Sequence, residues 1–369
     1  MSVLREALID VGAIEENTRH MRRLTGVDVM AVVKAEGYGH GAVRSAAAAL
    51  AGGASRLGVT DVAEALALRR GGIDAPVVAW LHAPGQSFAE AAASGIEIGV
   101  STMDQLQAAA AAASSEHAAG VHLKLETGLG RNGIAPADYA AVFSEAARLE
   151  RIGRVRIVGL FSHLSNTSAE DDRAALAAFL DGVDAAARIG IRPQLRHIAA
   201  THAAIEIPEA RLDCVRIGIG IYGLSPFADR TSGDLGLRPA MTLRGEVAAV
   251  RRVPAGQGVS YGYTYRTERE TTLALVPLGY ADGVPRQASG AGPVVIGRQR
   301  FHVSGRIAMD QFVVDVGDAP VRIGDDVTLF GDPTLGAPAV EEWADAASTI
   351  NYEIVTRIGP RVPRRQVRG

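Results

Sequence analysis

Lysine, tyrosine, histidine and arginine recur in this chain where apolar runs give way to glycine-rich loops. Lys34 follows Val29-Met30-Ala31-Val32-Val33 and precedes Ala35-Glu36-Gly37-Tyr38-Gly39-His40-Gly41. The run is short and rich in β-branched residues, so it reads as a buried strand. The three glycines mark a tight loop where backbone can approach a ligand. A lysine in that position is placed like a Schiff-base nucleophile, because amine catalysis needs a fixed, partly desolvated amine. The plain alternative is an exposed lysine, since lysine is rarely buried.

Other reactive side chains fall in similar places. Lys124 and Arg131 lie in KLETGLGRNG, His163 follows the run ending at 160, and His197 and Thr201 flank another strand end. Arg216 sits inside DCVRIGIG, before Gly218 and Ile219. A guanidinium in an apolar run needs a partner, so Arg216 is either paired structurally or aimed at a ligand. Further on, Tyr261, Tyr263 and Tyr265 stand at period two in VSYGYTY, a spacing that usually means cross-strand packing. GYADG carries Tyr280, GRIAMD carries Met309 and Asp310, and TINYE carries Tyr352.

The elements that must position these residues alternate regularly. Strands are predicted near 29–33, 56–59, 76–80, 96–100, 121–125, 156–160, 195–198 and 213–217. Helical patterns at 61–70, 102–113, 136–150 and 169–188 lie between them, with Asp61, Thr102, Pro136 and Ser168 as start signals. This alternation predicts an α/β fold with an N-terminal (β/α)8 TIM-type barrel, whose usual size is about 250 residues. An open doubly wound sheet is the alternative, but no G-x-G-x-x-G opens the first helix. In a barrel the reactive groups would gather at the C-terminal ends of the strands, where loops seven and eight often make a phosphate site. Thr201 with the amides of Gly218 and Ile219 suits one.

Past Gly223 the texture changes. Residues 225–239 are rich in Ser, Pro, Asp and Gly and read as a linker. Short strands follow at 242–253, 272–277, 293–296, 311–316 and 326–330, with one helical segment at about 340–357. The expected division is a barrel over 1–234 and a mostly antiparallel β domain over 235–369, with residues 1–11 free to pack with either.

Bulk properties narrow the class. At 369 residues with 47% hydrophobic content, the chain can bury a large core, and its net charge of -3 carries no basic patch for nucleic acid or membrane. The short basic tail RVPRRQVRG is discounted for the same purpose. A single cysteine, Cys214, excludes an intrachain disulfide and any Cys-rich zinc module. The N-terminus lacks an apolar h-region, and the alanine runs near 46–51 and 108–113 are too short to span a bilayer. A soluble cytoplasmic protein with no metal site is expected.

Taken together, AVVKAEGYGHG, KLETGLGRNG, GLFSHLSNT, VRIGIGIYGLSP, VSYGYTYRT, PLGYADGVPR, GRIAMDQ and TINYEIVTRI strongly resemble, in order and over almost the whole chain, the motifs of the alanine racemases. These are pyridoxal 5'-phosphate enzymes of the barrel fold type. The resemblance implies that Lys34 holds the cofactor covalently and serves one face of the substrate, while Tyr261 of the partner subunit serves the other. It implies that His163 links the Tyr261 phenol to Arg216, which matters because a free tyrosine titrates near pH 10. Arg216 would face the pyridine nitrogen and keep it unprotonated. Tyr38, Thr201, Gly218, Ile219 and Tyr352 match cofactor-phosphate positions. Arg131, with Met309 and Asp310 from the partner chain, matches contacts to the substrate. Tyr280 of the partner subunit, with Tyr352, would narrow the mouth. Lys124 matches a position carbamylated in many relatives. A homodimer with shared active sites, producing D-alanine for peptidoglycan, is the implied assembly and role.

The chain departs from the family at Glu36 (usually Asn or Asp), Thr201 (commonly Ser), Ala308 (commonly Cys) and Ala200 (frequently Asn). These changes bear on substrate preference. A serine or broad-specificity racemase keeps the same lysine and tyrosine. A non-catalytic cofactor-binding protein has no use for a second base at Tyr261, and a decarboxylase on the same barrel has none for VSYGYTY with MDQ.

Overall fold

The computed structural model describes residues 4–114 and 117–369, so the first three residues of the opening segment lie outside the described residues. The chain opens with β1 (Arg5–Asp10) and a helix, Val11–Thr25, started by the Asp10 carboxylate accepting from Ala13 N–H. Eight strands follow: β2 (Asp28–Val32), β3 (Arg56–Val59), β4 (Val77–Ala79), β5 (Ile96–Val100), β6 (Ala119–Lys124), β7 (Val155–Phe161), β8 (Leu195–His197) and β9 (Cys214–Ile217). All pair in parallel, in chain order from β2 to β8, and β9 returns to pair with β2. The bridge between Ala200 and Arg216 brings β8 and β9 together and closes the barrel. Their apolar, β-branched composition fits strands covered on both faces. Asp61, Thr102 and Ser168 each cap the helix that follows, accepting from the backbone three residues on. Pro136 opens a 3-10 turn that runs into the helix Tyr139–Arg151.

The remaining strands are β10 (Met241–Glu246), β11 (Ala249–Val253), β12 (Gly258–Val259), β13 (Tyr265–Arg266), β14 (Thr271–Val276), β15 (Pro293–Ile296), β16 (Gln299–His302), β17 (Phe312–Gly317), β18 (Asp326–Phe330) and β19 (Arg364–Val367). They form a six-stranded sheet ordered β16-β15-β18-β10-β1-β19, a three-stranded sheet β11-β14-β17, and the small hairpin β12-β13. The barrel and the antiparallel sheets are the α/β architecture expected. β1 joins the six-stranded sheet, antiparallel to β10 and parallel to β19.

Several local expectations are corrected. The stretch 242–253 is two strands rather than one. The helix expected at about 340–357 is broken into Val340–Ala346 and Asn351–Thr356, with Ser348 at φ 54 between them. VSYGYTY is no continuous strand: Val259 ends β12 and Tyr265 opens β13, and Tyr261–Tyr263 between them is a short turn with left-handed backbone at Ser260, Gly262 and Tyr263. The basic tail is β19, where Arg365 pairs with the buried carboxylate of Glu6. Among the described residues no helix is long and apolar enough to cross a membrane, and no cluster of His, Cys, Asp and Glu could hold a metal ion.

Candidate active site

A cavity of about 450 Å³ opens at the C-terminal ends of the barrel strands. Lys34 reaches it from the residues just after β2, Lys124 from the end of β6, and Arg131 from the glycine-rich loop beyond. That loop is tied down by the Glu126 carboxylate, which accepts from Gly128 and Gly130 N–H at 2.8 and 3.0 Å. His163 follows β7, Thr201 follows β8, and Gly218 and Ile219 follow Arg216 on β9. Tyr38 and Tyr352 complete the wall. The cavity therefore gathers Lys34, Tyr38, Lys124, Arg131, His163, Thr201, Arg216, Gly218, Ile219 and Tyr352.

The loop after β2 is more constrained than glycine content suggested. Ala35, Glu36, Gly37 and Tyr38 all have φ between 51 and 61, which makes one left-handed turn. Left-handed helix costs a non-glycine residue about 1–2 kcal/mol, so tertiary contacts must hold it. Glu64 supplies one, accepting from Ala35 N–H at 2.7 Å and Thr60 N–H at 2.8 Å. Gly39 supplies another: at φ 81 its Cα packs so closely that an added Cβ would lie 2.2 Å from Val355 O. This turn fixes Lys34 against the cavity and brings Tyr38 toward Tyr352, their ring centroids 6.3 Å apart.

The electrostatics are one-sided. Lys34, Lys124, Arg131 and Arg216 line the cavity and, among the described residues, no carboxylate does. Burial lowers the pKa of Lys34, and Arg131 lowers it further by repulsion. Lys124 is pushed down to about 8, by burial and then by Arg131 and Arg216; its amine contacts the Asn132 side-chain oxygen. His163 falls to about 3, chiefly by burial and then by Arg216, and is neutral. Such a cavity suits an anion beside a neutral amine.

Arg216 is buried and, among the described residues, has no carboxylate partner. Nη1 donates to His197 Nδ1 and His197 O at 2.8 and 2.9 Å, and the two protons of Nη2 are divided among Ser162 O, Ile198 O and His163 Nδ1 at 2.7, 2.8 and 3.0 Å, one of them shared. Both Nη groups are thus occupied by the barrel, and Nε is left over in a side chain that lines the cavity. His197, expected among the loop residues, instead closes β8 and lies wholly buried behind Arg216.

The Thr201 hydroxyl accepts from Gly218 N–H at 3.2 Å, leaving its own O–H to donate. A Cβ on Gly218 would lie 2.4 Å from the Tyr38 hydroxyl, so glycine is what lets the phenol sit over this backbone. Hydroxyls and amides from two loops, inside a basic cavity, fit a phosphate group; Lys34 fits an aldehyde.

Tyr261, Tyr280, Met309 and Asp310 are not at this cavity. Tyr261 is 71% exposed, Tyr280 43% and Met309 52%. They stand on adjoining loops: Ser260 donates to Arg306 O, Tyr280 N–H to Ala308 O, and Ala281 N–H to Met309 O. Asp310 is held by Arg361 at 2.7 Å. Residues not anticipated from sequence include Trp80, Phe161, Asn166 and His202 in the cavity wall, and Glu97 and His122 behind Arg216. Glu97 in IEIGV and His122 in AGVHLK were visible as polar groups in apolar runs, the same signal that singled out Arg216.

Residues 9–226 match the family model described as alanine racemase, N-terminal domain, and residues 240–366 match alanine racemase, C-terminal domain. Among curated proteins, the chain is 49% identical over 369 residues to the alanine racemase of Thermobifida fusca, covering 99% of this chain and 98% of that protein. It is 48% identical over 365 residues to that of Salinispora arenicola, covering 97% of each. Among solved structures it resembles alanine racemase from D-cycloserine-producing Streptomyces lavendulae, with TM-score 0.97, 46% identity and coverage of 100% and 98%. It also resembles that of Bacillus anthracis with bound L-Ala-P, with TM-score 0.90, 31% identity and coverage of 100% and 96%.

Proposed function

Since the chain belongs to the alanine racemase family, we propose that it interconverts L- and D-alanine with pyridoxal 5'-phosphate, supplying D-alanine for peptidoglycan in the cytoplasm. The observation that carries this is the partly buried amine of Lys34 in a cavity lined by Lys124, Arg131 and Arg216 and, among the described residues, by no carboxylate. When bound, the cofactor supplies an aldehyde for that amine and a conjugated ring that spreads the charge left by the departing α-proton. Thr201, Gly218, Ile219, Tyr38 and Tyr352 would hold its phosphate. Arg131 would hold the substrate carboxylate, as bidentate arginine does best. Lys124, next to Arg131, keeps the depressed basicity that carbamylation requires.

Racemisation needs proton transfer at both faces of Cα. Lys34 Nζ serves one face. The other falls to Tyr261 of the partner subunit, helped by His163: its Nδ1 accepts from Arg216, so its proton resides on Nε2, free to meet the phenol. Support for the shared site comes from the exposure of Tyr261, Tyr280 and Met309 on adjoining loops away from their own chain's cavity. Division of the chain at about 234–235 matches this division of labour, Lys34 on one part and Tyr261 on the other.

A chiral assay on alanine and serine, with and without added cofactor, tests the reading. We expect turnover of alanine well above serine, dependent on cofactor, and joint loss of racemisation and visible cofactor absorbance in Lys34→Ala. Retained racemisation in Lys34→Ala would sink it; faster turnover of serine would move the assignment to a broad-specificity racemase.

A further inference from the structure

Barrels of this type are ordinarily filled by apolar layers, and Met30, Val78, Val158, Leu195 and Cys214 form one here. A polar chain crosses the same interior. Arg216 Nη1 lies 2.8 Å from His197 Nδ1, His197 Nε2 lies 3.0 Å from His122 Nδ1, and His122 Nε2 lies 2.8 Å from Glu97 Oε2. Glu97 also accepts from Arg56 Nη1 at 2.9 Å, with Arg156 at 3.7 Å. Arg56 and Glu97 stand near the starts of β3 and β5, and His197 and Arg216 near the ends of β8 and β9. The chain thus runs from the far end of the barrel to the cavity.

One arrangement of protons satisfies every contact. A guanidinium only donates, so His197 Nδ1 must carry a lone pair and its proton sits on Nε2. That proton points at His122 Nδ1, which must accept. His122 therefore bears its proton on Nε2 and gives it to the Glu97 carboxylate. A doubly protonated imidazole at either position would turn N–H against N–H. The guanidinium at one end, a donor only, and the carboxylate at the other, an acceptor only, thus demand the same tautomer of both imidazoles.

The surroundings are built for this chain. The β6–β7 pairing slips between Val121 and His122, so His122 faces Gly159, where a Cβ would lie 2.3 Å from His122 Nδ1. The Phe161 ring stacks on His197, with centroids 5.1 Å apart and planes at 7°.

We propose that Glu97, His122 and His197 are positioning residues: their one-way relay holds both Nη groups of Arg216 toward the barrel and reserves its Nε–H for the cofactor ring. The catalytic consequence rests on the racemase reading; the relay itself does not.

Long-range 1H–15N spectra of histidine-labelled protein, loaded with pyridoxal 5'-phosphate and also without it, read the tautomers directly. Both His122 and His197 are expected as neutral Nε2–H imidazoles at neutral pH. In Glu97→Leu, which removes the acceptor of His122 Nε2–H, and independently in Gly159→Ala, which displaces His122 but keeps every titratable group, the single set of His122 ring signals is lost. In the loaded enzyme the same two variants shift the visible absorption maximum and lower kcat tenfold or more, with KM changed less than threefold. Glu97→Gln, whose amide oxygen still accepts from His122, recovers most of the wild-type spectrum. An imidazolium or Nδ1–H form of either histidine in the wild type would overturn the relay. So would an unshifted absorption maximum in both Glu97→Leu and Gly159→Ala. Tautomers as expected in a chain without racemase activity would overturn the proposed function and leave the relay standing.

Discussion

Lys34, Lys124, Arg131 and Arg216 share one cavity, and after burial the two arginines make both lysines less basic. Arg216 itself is drawn down to about 10 by burial, and it remains a cation at neutral pH, whereas Lys34 is shifted toward the free amine that a carbonyl requires. The base proposed for the opposite face, Tyr261 of the partner subunit, gives the sharpest residue-level test. Tyr261→Phe should lower turnover by roughly 10²–10⁴-fold, the usual range for a lost general acid–base group. Solvent-proton exchange should fall more severely from L-alanine than from D-alanine, and equal loss would contradict the assignment of faces. Lys34, Thr201 and Arg216 were legible because each adjoins a strand end and a loop that advertises a ligand. Glu97 and His122 carry their polarity within strands, away from the loops that follow them, where sequence says only that a partner must exist. Which partner depends on barrel closure, a long-range fact.

Among the elements, the left-handed turn after β2 does the positioning. Glycines 37, 39 and 41 announced a loop there, but the left-handed backbone of Ala35, Glu36 and Tyr38 is imposed by Glu64 and by the helix Asn351–Thr356. Gly39→Ala should cost about 2–4 kcal/mol, because both its φ of 81 and the carbonyl of Val355 oppose a side chain. Cofactor affinity should fall with it, since Tyr38 and Tyr352 lie on the two elements being forced apart. Gly26→Ala is the comparison: its φ is 70 but nothing lies within 4 Å, so about 1 kcal/mol is expected and cofactor binding should not change. Equal losses in denaturant titrations would refute the steric part. The barrel strands and their capped helices followed from local pattern, whereas the VSYGYTY turn did not. Alternation of tyrosine with small residues reads as a strand until the backbone of Ser260, Gly262 and Tyr263 reverses the chain.

At the level of the whole molecule, two predictions concern assembly and acid. If Tyr261 completes the partner's cavity, the dimer is isologous and activity should vanish with dissociation; a dilution series followed by sedimentation would refute sharing if monomers kept full activity. In the six-stranded sheet, Glu6 is almost wholly buried between Arg244 and Arg365. The hydrogen bond from Arg365 is the largest influence holding its carboxyl below the usual range, outweighing the burial that opposes it. The stabilisation is therefore complete above the ordinary glutamate pKa and is lost as pH falls through the lowered folded value. Because the arginines are partly solvated, about 1–2 kcal/mol is expected, and Glu6→Gln should remove that acid-sensitive part from the stability curve. Sequence left open which domain the opening strand would join, because its partners come from the other end of the chain. Ala7 pairs with Leu243 on one side and Arg364 on the other. On the ribosome that strand is made well before β10 and β19, the two strands it pairs with. A nascent chain can finish its barrel while Ala7 and Ile9 still wait, bare, for neighbours not yet translated.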